Sequence, residues 1–107
     1  MNVPTDIPPN MPTDEQVRVA VAAFSMLAEP TRLRVLWLVT SSELDVTTLS
    51  SLVGVSPSAV SQHLAKLRLA GLVDTRKVGR RVLYRARDQH VRTVIGEALS
   101  HASEGSP

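Results

Sequence analysis

Residues 47–70 read TTLSSLVGVSPSAVSQHLAKLRLA, and this segment carries the clearest indication of the fold. Its first part predicts a short helix around residues 47–52 that ends at Gly54, because glycine is favoured just after a helix. A Val-Ser-Pro-Ser turn follows, and the spacing of apolar residues predicts a second helix over residues 58–70. A short helix, a glycine-containing turn and a helix with small polar residues at its start together predict a helix-turn-helix.

Two helices are predicted before this stretch. Thr13 and Gln16 have the spacing of a capping box, which marks the start of a helix that continues to Ala28. Pro30 ends that helix and begins another, which runs to about Ser41. The apolar residues of both helices recur at helical spacing and are expected in the core; they are Val17, Val21, Phe24, Leu27, Leu33, Leu36, Trp37 and Val39.

A β-hairpin and a final helix are predicted after the helix-turn-helix. Residues 72–86 alternate in side-chain character on both sides of Gly79-Arg80, which is typical of a hairpin with a basic tip. Asp88 can cap a last helix that runs to about Ser103. The apolar stripe of that helix consists of Val91, Val94, Ile95, Ala98, Leu99 and Ala102. The predicted fold class is mainly α (α+β): a winged helix-turn-helix with an additional helix at each end.

The length of the chain predicts one domain. It has 107 residues, 43% of them hydrophobic, which is enough for a single small core. The domain is expected over residues 14–104, after a proline-rich, disordered arm over residues 1–13 and before a short tail at residues 105–107. A domain of this size buries a modest share of its surface, which is compatible with stability shared with a partner subunit.

Two absences narrow the function classes. The sequence contains no cysteine, which excludes disulfides, thiolate metal sites and thiol redox sensing. No apolar run approaches the roughly 20 residues needed to span a bilayer, and no signal segment is recognisable at the start. The sequence therefore predicts a cytoplasmic protein with no membrane partner.

The charge is unevenly distributed along the chain. The net charge is +2 overall, but it is −3 over residues 1–60, +7 over residues 61–92 and −2 over residues 93–107. A basic block in a nearly neutral chain indicates a surface that faces a polyanion. On charge alone, a solvated charged face explains the block equally well.

The helix-turn-helix and the hairpin supply candidate DNA-binding residues within that basic block. Short polar or amide side chains at the start of the second helix can reach base edges or phosphates in a major groove, and cations beyond them and at the hairpin tip suit phosphates. These residues are Ser58, Ser61, Gln62 and Lys66 on the helix, and Lys77, Arg80 and Arg81 in the hairpin. The basic block, the polar start of the second helix and the basic wing coincide in one stretch of sequence. Double-stranded DNA is therefore the expected partner.

The same segments resemble the ArsR/SmtB family of bacterial metal-responsive repressors. Residues 49–73 are similar to the family's recognition segment, residues 28–36 to its other signature and residues 79–84 to its wing. The resemblance covers about residues 16–104. It implies a homodimeric repressor that binds a palindromic operator and releases it when an inducer binds. It also implies that the two serines and the glutamine named above are DNA-contacting positions.

Metal ligands can be proposed on the last helix. His90 and His101 are 11 residues apart, so they share a helix face but lie about 16 Å apart along the axis. One zinc ion with bonds of about 2 Å cannot be held by both on a single helix. Each histidine has a nearby carboxylate, Asp88 or Glu104. Antiparallel pairing with a second copy would bring the two ends together and form two equivalent sites of two nitrogens and two oxygens.

The family resemblance implies the same four ligands: Asp88, His90, His101 and Glu104 match the zinc site on the last helix of ArsR/SmtB proteins position by position. The family's other metal site needs a cysteine where this chain has Asp45, so that site is expected to be absent. His63 is expected to have a structural role. Zinc is the expected inducer, with cobalt or nickel as alternatives, and no cofactor is expected to be needed for folding.

Three alternatives remain open from the sequence. A winged helix can serve protein–protein contact alone, although the basic wing argues against that use. An enzyme is the second alternative, but the sequence has no nucleophile motif or phosphate-binding glycine loop. The third is a repressor of the same family that is constitutive or answers a non-metal signal, in which the four ligands are incidental.

Overall fold

The computed structural model describes residues 10–104, so residues 1–9 of the predicted arm and the whole predicted tail lie outside the described residues. The elements follow in the order α1 (Asp14–Leu27), α2 (Pro30–Ser41), α3 (Val46–Val53), α4 (Pro57–Leu69), β1 (Val73–Val78), β2 (Arg81–Ala86) and α5 (Gln89–Glu104). This is the predicted winged helix-turn-helix with a helix added at each end. None of these helices is long and apolar enough to cross a membrane.

Local side-chain chemistry explains where the helices begin. The Thr13 hydroxyl accepts a hydrogen bond from the Gln16 N–H, and the Gln16 side chain accepts one from the Thr13 N–H, which confirms the predicted capping box. The other helices also begin at side chains that accept a backbone N–H, which satisfies donors left free in a first helical turn. These capping residues are Glu29 for α2, Asp45 for α3, Ser56 for α4 and Asp88 for α5.

The hairpin has the predicted turn. Val78 pairs with Arg81, so Gly79 and Arg80 form a two-residue connection, and Gly79 has a φ of 62°, which glycine adopts without strain. The α2–α3 loop is joined to the hairpin as well. Leu44 and Tyr84 exchange two backbone hydrogen bonds of 3.1 and 2.8 Å. The wing is therefore fixed to the start of the helix-turn-helix.

The core lies between α2, α3, α4, the hairpin and one side of α5. Its fully buried side chains come from every one of these elements, so the helix-turn-helix and its wing share one apolar interior. They are Val35, Leu36, Val39, Leu49, Val60, Leu64, Leu67, Val73 and Ile95.

The expectation that the apolar stripes of the first two helices are simply core is wrong for four residues. Trp37 is 48% exposed, Phe24 is 62% exposed, and Val17 and Val21 are exposed too. No residue of α1 is buried within the chain. The physical reason is that α1 packs on α2 and is not covered by a further element within residues 10–104. Between α1 and α5 lies an apolar cavity of about 210 Å³.

Trp37 is exposed because it lies on the outer side of α2, away from the core. It borders an apolar cavity of about 460 Å³ to which α2, α3 and α5 all contribute. The other apolar side chains in the cavity wall include Leu33, Leu52 and Leu99. Within the apolar stripe of α2, Leu36 is thus buried in the core, whereas Trp37 is half exposed to solvent.

Candidate nucleic-acid interface and metal ligands

The second helix of the helix-turn-helix, α4, separates its core side from its outer side. Val60, Leu64 and Leu67 are buried, and Ser56 and Pro57 set the helix start. The predicted DNA-contacting residues all lie on the exposed side: Ser58, Ser61, Gln62 and Lys66. The buried residues therefore hold α4 against the core while its small polar side chains stay available to an external partner.

A cleft connects α4 with the wing. Ser61 and Arg68 of α4 and Tyr84 of β2 line a common cavity of about 600 Å³. Beyond it, Lys77 and Arg80 are exposed at the hairpin tip, and neither has an ion-pair partner within residues 10–104. The structure thus brings the polar side of α4 and the wing next to each other.

Arg81 is in a different situation from the other two predicted wing cations. Its guanidinium donates to Asp45, with Nε–Oδ2 and Nη2–Oδ2 distances of 3.2 and 3.1 Å. Two further arginines of the hairpin pair with one carboxylate: Arg76 lies 2.6 Å and Arg85 3.3 Å from Glu43. Part of the basic block is therefore neutralised inside the chain, and the wing is held to the α2–α3 loop by charge as well as by backbone.

These ion pairs help to lower the pKa values of the two carboxyl groups, because a nearby positive charge favours the ionised form. The hydrogen bond from Arg76 is the largest cause that lowers the pKa of Glu43 below its ordinary value of 4.5. Hydrogen bonds from Thr48, supported by Arg81, lower the pKa of Asp45 below 3.8. Both groups are ionised at neutral pH. Asp45, in the place where the family's other metal site needs a cysteine, thus caps α3 and holds a wing arginine.

Sequence reasoning missed the roles of Glu43 and Asp45. Their arginine partners are 33 and 36 residues further along the chain, so no helical or strand periodicity connects them. The available signal was the acidic loop itself, because a short acidic segment in a chain with a basic hairpin is a candidate partner for it.

His63 has the structural surroundings that the sequence predicted. It lies on α4 on the side that faces α2, and its Nδ1 is 3.5 Å from Nη1 of Arg32 and 3.8 Å from Oε2 of Glu29. Glu29 caps α2 by accepting the Arg32 N–H, and this hydrogen bond is the main cause that lowers the pKa of Glu29 below 4.5.

The four predicted metal ligands lie at the two ends of α5 and are all exposed. Asp88 caps the helix, with Oδ1 accepting the Val91 N–H at 3.0 Å, which leaves its second oxygen for another ligand. His90 also borders the cavity between α1 and α5. Within residues 10–104 of one chain, no three histidine, aspartate or glutamate side chains come together as a metal site. A site formed by all four residues, which are His90, Asp88, His101 and Glu104, would need a second copy.

Comparison with known proteins gives a consistent result. The model of the bacterial regulatory proteins of the arsR family matches residues 29–75. The transcriptional regulator KmtR of Mycobacterium tuberculosis is 42% identical over 102 residues, which cover 95% of this chain and 78% of KmtR. Reduced HlyU from Vibrio cholerae superimposes with a TM-score of 0.75 at 36% identity, over 87% of this chain and 96% of HlyU.

A third comparison supports the fold alone. The homodimeric winged helix-turn-helix DNA-binding domain of Mb0332 from Mycobacterium bovis has a TM-score of 0.81 at 24% identity, over 92% of this chain and 94% of that domain. The two structures therefore share the arrangement of helices and wing although their sequences have diverged.

An exposed polar helix beside a two-stranded basic wing defines the class of winged helix-turn-helix transcriptional regulators, which bind DNA and are not enzymes. Within that class, the chain belongs to the arsR family of bacterial regulatory proteins, as its identity to KmtR over nearly its whole length shows. The resemblance to the ArsR/SmtB family found in the sequence is thereby confirmed.

Proposed function

We propose that the chain acts in the cytoplasm as a homodimeric repressor. It binds a palindromic operator through α4 and the wing, and it releases the operator when zinc binds between the α5 helices of the two copies. The observation that carries the proposal is the single surface formed by α4 and the wing, where exposed polar side chains adjoin cations without an internal partner.

The division of labour on that surface follows from chemistry. Serine and glutamine side chains can hydrogen-bond to base edges, so Ser58, Ser61 and Gln62 are proposed to read the sequence. Cations at the edge of the surface supply affinity that does not depend on sequence, and these are Lys66, Lys77, Arg80 and Arg81. Arg81 must share its charge with Asp45, so Arg80 and Lys77 are the stronger phosphate contacts.

The dimer is supported by the apolar side chains that the single chain leaves uncovered. Val17, Val21 and Phe24 on α1, together with Val94 on α5, are exposed. Large exposed apolar side chains clustered on two adjacent helices mark a protein interface. A two-fold dimer through these helices presents two copies of α4, which is the arrangement that a palindromic operator requires.

The metal proposal depends on the donor set of α5. Two imidazoles and two carboxylates form a four-ligand set that suits Zn(II), with Co(II) and Ni(II) as alternatives. The residues that would hold it are Asp88 and His90 of one copy with His101 and Glu104 of the other. Linking the two α5 helices would favour a dimer in which the two α4 helices no longer match successive major grooves, and operator DNA would weaken zinc binding by the same factor.

The experiment uses the full chain and a duplex that the wild-type protein selects from a randomised pool. Fluorescence anisotropy of that duplex is followed while zinc is added. Wild-type protein is expected to bind and then dissociate. His101→Ala is expected to bind with unchanged affinity and to stay bound in zinc, whereas Glu97→Ala, an exposed carboxylate of α5 outside the ligand set, behaves as wild type. Normal release of His101→Ala by zinc would show that the metal assignment is wrong.

The same titration distinguishes the zinc-responsive repressor from the alternative function. If wild-type protein binds the selected duplex and zinc releases nothing, the chain is a repressor that is constitutive or answers a non-metal signal. If wild-type protein binds no duplex in a salt-dependent way, the proposed DNA interface itself is wrong. A promoter–reporter measurement with the same duplex distinguishes repression from activation.

A further inference from the structure

Arg32 connects three helices. Its backbone N–H donates to Glu29 at 2.6 Å, which caps α2, and its Nε donates to the Met26 carbonyl in the last turn of α1 at 2.8 Å. Its Nη1 lies 3.5 Å from Nδ1 of His63 on α4. Because guanidinium is always a donor, this contact is a hydrogen bond when Nδ1 is the unprotonated ring nitrogen. One side chain therefore touches the end of α1 and the middle of α4.

The contact is partly shielded from water. The side chains of His63 and Glu29 are 21% and 32% exposed, and their closest approach, Nδ1 to Oε2, is 3.8 Å. At 3.5 Å the Nη1–Nδ1 contact is long, and its charged donor and partial burial give it a directional preference that apolar packing lacks. Within residues 10–104, the side-chain hydrogen bonds and ion pairs that join α4 to another helix all come from His63.

His63 is placed to control the rotation of α4 about its axis. Apart from backbone hydrogen bonds at its ends, α4 is held by the buried apolar side chains Val60, Leu64 and Leu67, and apolar contacts have little directional preference. Gln62 is one residue away and points about 100° round the helix, toward solvent. A rotation of about 20° at a side-chain radius of about 5–6 Å moves a side-chain tip by about 2 Å. That displacement is enough to break a hydrogen bond to a base.

We infer that Glu29, Arg32 and His63 form a positioning cluster that sets the orientation of α4 from the end of α1. The inference rests on the proposed function, because it assigns to the cluster the task of aligning Ser61 and Gln62 with base edges. It goes beyond it by assigning a route from α1 to α4 that involves neither α5 nor the wing. The cluster touches no DNA, so its residues are positioning residues.

Three variants separate positioning from simple stability. Arg32→Lys keeps the charge but has a single ammonium group, which cannot reach the Met26 carbonyl and His63 together. His63→Leu removes the acceptor, and His63→Asn restores an acceptor oxygen close to the position of Nδ1. Arg34→Lys is the matched control, because Arg34 is on the same helix, is exposed and has no hydrogen-bond or ion-pair partner within residues 10–104.

Each full-length variant is tested on two duplexes of equal length, the one selected by wild-type protein and one of unrelated sequence. Arg32→Lys and His63→Leu are expected to weaken binding to the selected duplex about tenfold. The affinity for the unrelated duplex and the salt slope are expected to stay unchanged, because the phosphate contacts are intact. His63→Asn is expected to recover most of the loss, and Arg34→Lys to bind as wild type.

Amide chemical shifts of ¹⁵N-labelled protein without DNA provide a readout independent of binding. In His63→Leu and Arg32→Lys, shifts confined to α4 and the end of α1 are expected. Equal losses on both duplexes, shift changes spread over the whole domain, or a His63→Asn variant as weak as His63→Leu would show that the cluster is merely structural. Failure of wild-type protein to distinguish the two duplexes would instead overturn the proposed function.

Discussion

Two regions of the molecule differ in how far they bury their apolar side chains. The first region is the helix-turn-helix with α2 and the wing, and the second consists of the terminal helices α1 and α5. In the first region, α2, α3, α4 and the hairpin bury leucine and valine side chains completely within one chain. In the second region, α1 has no buried residue, and α5 buries only Ile95 among the described residues. Yet α1 and α5 carry exposed valines and a phenylalanine.

This contrast shows which region buries its apolar side chains within one chain and which region leaves them for a partner to cover. A cluster of fully buried apolar side chains supplies the main favourable free energy of folding. The first region forms this cluster within one chain, and among the described residues Ile95 is its one fully buried member from the terminal helices. The terminal helices leave valine side chains and Phe24 in water, and a second copy can cover them. We therefore expect substitutions in the first region to change the free energy of unfolding and substitutions in the second to change the dimer dissociation constant.

The largest effect is expected in the first region, the helix-turn-helix with its wing. Leu49→Ala removes a fully buried side chain of α3 and should lower the free energy of unfolding by about 2–5 kcal/mol, because a cavity replaces packed atoms. Leu69→Ala, at a side chain that is 90% exposed, should change it by less than about 0.5 kcal/mol. Urea denaturation at one fixed protein concentration measures both. Equal losses for the two variants would contradict the comparison.

The next largest effect is expected in the second region, the terminal helices α1 and α5. Phe24→Glu places a charge on the uncovered side of α1 and should raise the dimer dissociation constant at least about tenfold, since the charge would be buried without a partner. Ser25→Glu adds the same charge to the neighbouring exposed position, about 100° round α1 from Phe24 and not in the wall of the α1–α5 cavity, and it should have little effect. Sedimentation equilibrium measures the constant, and circular dichroism checks that the helices persist. A Phe24→Glu protein that dimerises as wild type would place the interface elsewhere.

A smaller effect is expected within the first region, at the hairpin tip. Arg80 has no ion-pair partner within the described residues, whereas Arg81 is held by Asp45. Because a homodimer carries two wings, Arg80→Gln should therefore reduce the slope of log affinity against log salt by about 2, or about 0.9 for each of the two lost phosphate contacts, and Arg81→Gln should reduce it by less. Anisotropy titrations of one duplex at several salt concentrations give the slopes. Equal slopes for wild type and Arg80→Gln would remove the tip from the DNA.

The smallest effect concerns the ion pairs that join the loop to the hairpin. The pKa of Glu43 is lowered in the folded chain, so its stabilising contribution is present above the ordinary value of 4.5 and is lost as pH falls through the folded value. Glu43→Gln should therefore be less stable than wild type at neutral pH, and the difference should shrink below pH 4.5. Thermal midpoints across this range test it, and a constant difference would contradict the pairing.

Much of the fold could be predicted because its boundaries are set by local chemistry. The Thr13–Gln16 capping box, the Ser-Pro start of α4 and the turn at Gly79 each act through neighbouring backbone groups. The period of the apolar residues then fixed which side of α4 is buried. Ser58 and Gln62 could be placed on the outer side for the same reason.

The rest depends on contacts that sequence spacing does not encode. Trp37 is one position from the buried Leu36, so periodicity alone could not tell which of the two the neighbouring elements would cover. The pairing of Asp45 with Arg81 joins residues 36 positions apart. The metal ligands of α5 stay a prediction, because they would meet only when two copies pair.

The half-exposed indole of Trp37 gives the chain its own optical probe. It is the single tryptophan, and it borders the cavity shared by α2, α3 and α5, while the single tyrosine, Tyr84, lies on the wing beside α4. Indole emission shifts in wavelength when the polarity around the ring changes, and phenol absorbs at shorter wavelength than indole. Unlabelled protein can therefore report a movement of α5 through its tryptophan emission and a movement at the wing through the absorption of its tyrosine.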